Sequence, residues 1–253
     1  MESDRTPAVV IDIKTYGESD KIVTLFSRNR GRMSGIAKGA RRSLKRFVNK
    51  LELFSELEIL FTDSRTSSLV RLDEAELINP FPAIREHYDR YAAASLICEL
   101  TLQWTRENDP DQQLFDLLVW SLGSLENQKR PAVWGAILFN IRLFTLLGYK
   151  PDLADCIECG ILSAGNTPYR FTTAQNGIIC QKCFKKHTRT EQPGISFSLS
   201  TIRFLHKAQE LPLNKLERLH FTPEVVREAT SMLKLYGNSI LQRDIIAWDF
   251  LLK

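Results

Sequence analysis

Four of the five cysteines in this 253-residue sequence stand in two Cys-x-x-Cys pairs, Cys156/Cys159 and Cys180/Cys183, with twenty residues between the pairs. A tight turn brings the two thiolates of such a pair to one side. Two pairs then complete a tetrahedron with metal–sulfur distances of about 2.3 Å. Soft thiolate ligands select zinc, although iron fits the same tetrahedron. Gly160 follows the first pair and Gly177 precedes the second, where the backbone must turn. A pair of disulfides is the first alternative, but it needs an oxidising compartment. The polar start, running straight into Val9-Val10-Ile11, lacks the layout of a secretion signal. A redox-active pair is the second, and it needs a single motif in a strand–helix–strand setting that the pattern does not supply. The expected cofactor is therefore Zn2+ on Cys156, Cys159, Cys180 and Cys183. With four protein ligands no position is left for substrate, so the ion acts as a staple for a segment too short to build its own core. Cys98 falls on the apolar stripe of a helix, the usual place of an inert buried thiol. His187 stands four residues past Cys183, within a basic cluster of Lys182, Lys185, Lys186 and Arg189.

The second pattern is electrostatic. Net charge is only +4, but the segment from Arg28 to Lys50 holds nine cations and no Asp or Glu. A local field of one sign is what a polyanion meets. Arg32, Lys38, Arg41, Arg42, Lys45 and Arg46 are the candidate phosphate contacts. Phe47 is a candidate ring for base stacking, although a lone Phe is more often a core residue. The bland reading of a charge run is a solvated face; its position in a loop beside strands favours binding. Gly31, Gly35 and Gly39 are four apart but end in Ala40-Arg41-Arg42, so no phosphate-binding Gly-x4-Gly-Lys-Ser/Thr loop is present. The His-x-Glu element of zinc deaminases is also missing, and no nucleophile–base–carboxylate arrangement stands out. The protein is expected not to be an enzyme. Two other classes compete with a DNA-binding protein: a protein-docking scaffold and a zinc-containing nucleic-acid enzyme.

The elements that must hold these residues follow from hydrophobic period. In the first eighty residues, Val9, Ile11 and Ile13 alternate with Val10, Asp12 and Lys14. Ile22 to Phe26, Met33 to Lys38, Leu57/Ile59/Phe61 and Val70/Leu72 mark further short strands. Five strands suit a small barrel that closes its own edges. Beyond Asn79-Pro80-Phe81-Pro82 the period becomes helical. Ile84 to Leu102 forms one helix, Leu114 to Leu125 a second, and a third runs from Pro131 to Gly148. Pro151 to about Gly194 reads as loop around the cysteines. Helices return after Ser198 or Ser200, stop at Pro212, and restart at Thr222-Pro223. The fold class is α+β and multidomain: an N-terminal OB-fold β-barrel at 1–80, a helical bundle at 81–150 and 195–253, and a four-cysteine zinc module at 151–194 inserted in it. No apolar run approaches the ~20 residues of a membrane span, and a cytoplasmic, nucleoid-associated location is expected.

Two blocks of sequence resemble the bacterial recombination mediator family RecO. One is Tyr16-Gly17-Glu18-Ser19-Asp20-Lys21-Ile22-Val23-Thr24-Leu25-Phe26, then Gly31-Arg32 and Gly35-Ile36-Ala37-Lys38-Gly39-Ala40-Arg41-Arg42. The other is Arg142-Leu143 to Leu147-Gly148-Tyr149, then Pro151, Cys156, Cys159 and Gly160. The order of parts matches over nearly the whole chain. The resemblance implies an OB-fold, helices and a zinc module. It also implies binding of single- and double-stranded DNA and annealing of complementary strands. Its implied partners are RecR and the C-terminal tail of the single-strand-binding protein, with RecA loading as the outcome. Arg142, Arg203 and Lys207 are candidates for the tail-binding helices. One departure is Asn176-Gly177 before the second cysteine pair, where the family often has two glycines.

Overall fold

β-Branched and aromatic residues at alternate positions build five strands, which in the computed structural model close into a barrel with no free edge. The structure describes residues 3–43, 45–127, 130–162, 168–186 and 196–252. The chain separates into two compact units, Met1–Lys129 and Arg130–Lys253.

The first unit holds β1 (Ser3–Tyr16), β2 (Asp20–Ser27), β3 (Gly31–Ala37), β4 (Glu56–Thr62) and β5 (Val70–Asn79), in the order β1-β2-β3-β5-β4. β1 is antiparallel to both β2 and β4, and a parallel contact between β3 and β5 completes the OB-like closure. Val23, Leu25, Leu57, Ile59, Phe61 and Leu72 fill the interior as their alternation requires. β1 departs from the expected phase. Ala8 and Val10 face inward and Ile13 joins them only beyond a register shift between Val10 and Asp12. A bulge adds one residue and reverses which side chains point in. Val9 and Ile11 are buried as well, and β1 is in contact with α2 (Tyr88–Trp104) outside the barrel.

α1 (Pro82–Glu86) and α2 replace the single helix expected from Ile84 to Leu102, because His87 is extended at φ −121° and ψ 123°. Tyr88 and Tyr91 are exposed; Ala92, Ala93, Leu96, Ile97 and Leu100 are the buried face. α3 (Gln112–Glu126) begins where the Asp111 carboxylate accepts the Leu114 N–H at 2.9 Å, and it buries all five leucines of its stripe. Cys98 is buried as expected, and burial pushes its thiol well above the ordinary range.

The second unit begins with α4 (Ala132–Leu146) after Pro131. The segment expected to be mostly loop forms β6 (Asp152–Cys156), β7 (Tyr169–Thr172), β8 (Gly177–Cys180), α5 (Gln181–Lys186) and β9 (Ser196–Phe197). The strands form one sheet, in the order β6-β8-β7-β9. Strands of two to five residues are too short to show a period. α6 (Leu199–Glu210) is capped by Ser198, α7 (Leu213–Leu216) follows Pro212, α8 (Pro223–Leu241) is capped by Thr222, and α9 (Ala247–Leu251) ends the order. The division at Lys129/Arg130 groups α1–α3 with the barrel, whereas α4 packs on α6 and α8. Among the described residues no helix is long and apolar enough to cross a membrane.

Gly31 and Gly39 share φ +68°, but a Cβ on Gly31 would lie 2.2 Å from the Asp109 carbonyl oxygen while one on Gly39 meets nothing within 4 Å. Left-handed backbone alone costs an L-residue about 1–2 kcal/mol. Gly39→Ala should therefore lose about that much, and Gly31→Ala distinctly more, in urea denaturation. Equal losses would contradict this placement of residues 108–110 against β3.

Candidate nucleic-acid interface and metal centre

The part of the basic segment from Lys38 onward is the loop between β3 and β4, and its shape is set by its apolar residues. Ala40, Phe47 and Leu51 turn inward and join the barrel core. Phe47 is 3% exposed, so it is a plug and offers no face to a base. Lys38, before Ala40, and Arg41, Arg42, Lys45 and Arg46, between Ala40 and Phe47, are all left in solvent. The loop is fixed as well as charged. The Arg41 N–H donates to the Ser19 carbonyl at 2.9 Å and its guanidinium to the Glu18 carbonyl at 3.1 Å. The Gly39 N–H donates to Asp20 Oδ1 at 2.8 Å. Lys21 reaches the Leu51 carbonyl at 3.2 Å, and Arg46 donates to the Lys38 carbonyl at 3.3 Å while its guanidinium lies 5.1 Å from the Phe47 ring centre. The β1–β2 turn is thereby stitched to the basic loop. Asp20 was not foreseen as a clamp; a Ser-Asp pair at a turn was the available signal. The Gly39 amide, then Ser19, hold the Asp20 carboxyl below its ordinary value of 3.8.

Arg32 is placed elsewhere. It stands at the opposite end of β3, roughly 20 Å from Lys38 at strand rise, and its Nη1 donates to the Leu102 carbonyl at 2.6 Å. Its backbone oxygen accepts the Asn108 N–H at 2.9 Å, so it ties the barrel to the end of α2. Arg28 and Arg30 are likewise paired, with Asp116 at 2.7 Å and Asp63 at 3.1 Å. Five of the six cations read from the sequence share one surface and the sixth does not. Glu18 lies 3.4 Å from Arg42 with both side chains exposed. Such a pair is worth about 0–1 kcal/mol and yields readily to a phosphate.

The four cysteine sulfurs lie within 4.8 Å of one another. Metal–sulfur bonds of about 2.3 Å require tetrahedral edges of about 3.8 Å, and Cys159 and Cys180 are 3.9 Å apart. The donor set fits one thiophilic ion. The first knuckle leaves the end of β6, where the Gly160 N–H donates to the Cys156 carbonyl at 2.8 Å and the Ile157 N–H to the Ile178 carbonyl at 2.9 Å. The second joins β8 to α5. Asn176 takes a left-handed φ of +54°, which asparagine tolerates, so the departure from two glycines changes little. Gly177 is needed for space, since a Cβ there would lie 2.4 Å from Ile157 Cγ2. Burial pushes the Cys156 thiol up, but N–H groups of Cys180, Cys159 and Glu158 outweigh it and bring it to about 7. The neighbouring Cys180 sulfur, then burial, push Cys183 well up. Four sulfurs this close resist ionising together unless a cation lies among them.

The sheet is held to the helices of its unit by Tyr236 of α8. Its ring lies edge-on to Phe144 and Phe171 at 5.0 and 5.3 Å, and its hydroxyl donates to the Tyr149 carbonyl at 3.0 Å. Lys182, Lys185 and Lys186 are exposed on α5, whereas His187 and Arg189 lie outside the described residues. Arg142 is half-buried, donating to the Gln209 carbonyl, and burial lowers its pKa. Arg203 and Lys207 are exposed on α6.

A closed OB-like barrel with a basic loop, followed by helices and a four-thiol sheet, defines the class of a multidomain protein built around a small barrel and a metal-binding module. Two family descriptions match this chain: Recombination protein O N terminal over residues 1–81 and Recombination protein O C terminal over residues 85–245. The DNA repair protein RecO of Syntrophus aciditrophicus (strain SB) is 34% identical over 241 residues, 95% of this chain and 92% of that protein. The protein of the same name from Syntrophobacter fumaroxidans is 34% identical over 87% of this chain and 86% of its own. That from Myxococcus xanthus is 31% identical over 99% and 98%. The chain belongs to the RecO family.

Two outcomes follow for the two sites. Purified protein should carry about one thiophilic metal ion by mass spectrometry of the digested sample, and Cys180→Ser should lose it and unfold at lower denaturant. Stoichiometric metal in that variant would contradict the four-sulfur site. The Asp20 clamp has a depressed folded pKa, so it contributes stability above the unfolded value, lost as pH falls through the folded one. The Gly39 amide chemical shift should therefore titrate with a midpoint below 3.8. A midpoint at or above that value would show the clamp is absent.

Proposed function

We propose that this protein is a DNA-binding mediator of recombinational DNA repair that anneals complementary strands without covalent chemistry. The observation that carries the reading is the loop of Lys38, Arg41, Arg42, Lys45 and Arg46, clasped to the β1–β2 turn on the end of a closed barrel. Family membership and the names of the relatives support a role in DNA repair.

Physical chemistry connects this surface to annealing. Complementary strands repel each other over about 10 Å at 0.1 M salt. A fixed cationic surface that contacts both lowers that repulsion, and base pairing then supplies the free energy. Each phosphate neutralised releases condensed counterions, so affinity comes chiefly from phosphate contacts and is sensitive to salt. The barrel binds single- and double-stranded DNA through this term, since both present phosphates. With RecR, the protein helps RecA load on strands coated by single-strand-binding protein, whose C-terminal tail docks on the helices; Arg142, Arg203 and Lys207 are the cations available there. The metal is Zn2+ and structural, because four thiolates on one ion leave no site for water or substrate. Its place of work is the cytoplasm, at the nucleoid, where its substrate lies.

The test is the salt dependence of DNA affinity. Replacing both Arg41 and Arg42 by Ala should weaken single-strand binding and reduce the slope of log K against log salt by about 1 to 1.5. The folded variant should anneal fluorescent complementary oligonucleotides more slowly. Unchanged slope and annealing rate would remove DNA from this surface and favour a protein-docking role.

A further inference from the structure

A cationic loop reads phosphates, which both single strands and duplexes carry. It gives no preference for unpaired DNA unless something beside it engages bare bases. Phe47, the ring nearest in sequence, is a plug in the core. Phe26, Phe54 and Phe61 of the barrel are buried too, none more than 1% exposed. Tyr16 differs from all of them at 55% exposed. Among the described residues of the barrel it is the one aromatic ring presented to solvent.

Its place in the fold gives that exposure meaning. Ile13 packs on the barrel interior, so the alternation of β1 puts Lys14 and Tyr16 on the outer face. Tyr16 pairs with Asp20 across the hairpin, and Asp20 accepts the Gly39 amide of the basic loop. The turn between them receives Arg41 through the Glu18 and Ser19 carbonyls. One strand pairing and one hydrogen bond thus separate the backbone of Tyr16 from the loop that bears the cations. From Tyr16 the outer face continues through Lys14, Ile22 and Ile36, which are register neighbours on β1, β2 and β3. At that end Lys14 and Tyr16 are exposed and Ile22 and Ile36 half-buried, whereas Phe26 is fully buried at the other end, where Arg32 reaches α2. An extended strand laid on the Tyr16 end would meet phosphate-binding cations and a flat ring together.

We propose that Tyr16 is the base-stacking residue of this interface and gives it a preference for single-stranded over duplex DNA. The inference rests on the DNA-binding role proposed above and names the part of the substrate that the cations do not read. A duplex keeps its bases stacked internally, so its phosphates reach the loop while its base faces do not reach the ring. Stacking of one base on an aromatic side chain is sequence-tolerant and worth about 1–3 kcal/mol; a tenfold change in affinity, about 1.4 kcal/mol, lies in the lower part of that range.

The experiment measures anisotropy of labelled DNA with the full-length protein. The ligands are an oligothymidylate, an abasic strand of equal length, and a duplex. Tyr16→Ala should weaken oligothymidylate binding about tenfold with an unchanged salt slope, and should leave abasic and duplex affinities within about twofold. Tyr16→Phe and Tyr16→Trp, which keep a ring, should restore the oligothymidylate affinity. Equal affinity of Tyr16→Ala and unaltered protein for oligothymidylate, with Arg41→Ala/Arg42→Ala still weakened, overturns the role of Tyr16 alone. So does a uniform loss across all three ligands, because stacking cannot act on an abasic strand. Absence of DNA binding by the unaltered protein, or indifference to both arginines, overturns the DNA-binding role and Tyr16 with it.

Discussion

Burial of Phe47 in the end of the barrel is the contact on which the basic surface depends. Placing a phenylalanine side chain in a core is worth about 1.5–3 kcal/mol. With Ala40 and Leu51 buried on either side of it, the intervening backbone has little choice of path. Arg41, Arg42, Lys45 and Arg46, which lie between the plug residues Ala40 and Phe47, are exposed to solvent. Hydrophobic burial thus orients charges that would otherwise repel one another into a diffuse loop. The Asp20–Gly39 and Arg41–Ser19 hydrogen bonds then set the loop against the β1–β2 turn. Cationic residues on a fixed loop bind a polyanion without first losing their own conformational freedom.

The cysteine cluster solves a different problem. Strands of two to five residues and a six-residue helix bury too little surface to hold themselves together. A metal held by the four sulfurs would replace the missing core, and the Tyr236 contacts fasten the sheet to the helices of its own unit. The cations proposed to meet DNA lie in the other unit, so in the proposed reading the cluster would serve as a fold determinant and the barrel would carry the interface.

Much of this was legible in the residues. The cysteine spacing marked all four members of the cluster, and the leucines of α3 and the caps at Ser198 and Thr222 stand where periodicity and capping chemistry place them. What escaped reading depended on tertiary context. The bulge in β1 reverses the facing of Val9 and Val10, and no local signal distinguishes it from unbroken alternation. Arg32 looks like its basic neighbours in sequence, but seven residues of strand carry it to the far end of the barrel and a carbonyl of α2 occupies it. Which of Phe47 and Tyr16 is buried was settled by tertiary context too. One ring had a cavity to fill at the barrel end, and the other stands at the outer tip of a hairpin.

The central claim is that nucleic acid lies on the loop side of the barrel. Photocrosslinking a single strand carrying halogenated uracils, then mapping the attached peptides by mass spectrometry, tests it most directly. Crosslinks within residues 14–22 and 36–50 are the result this account predicts. Crosslinks confined to the second unit, with none in the barrel, would contradict it.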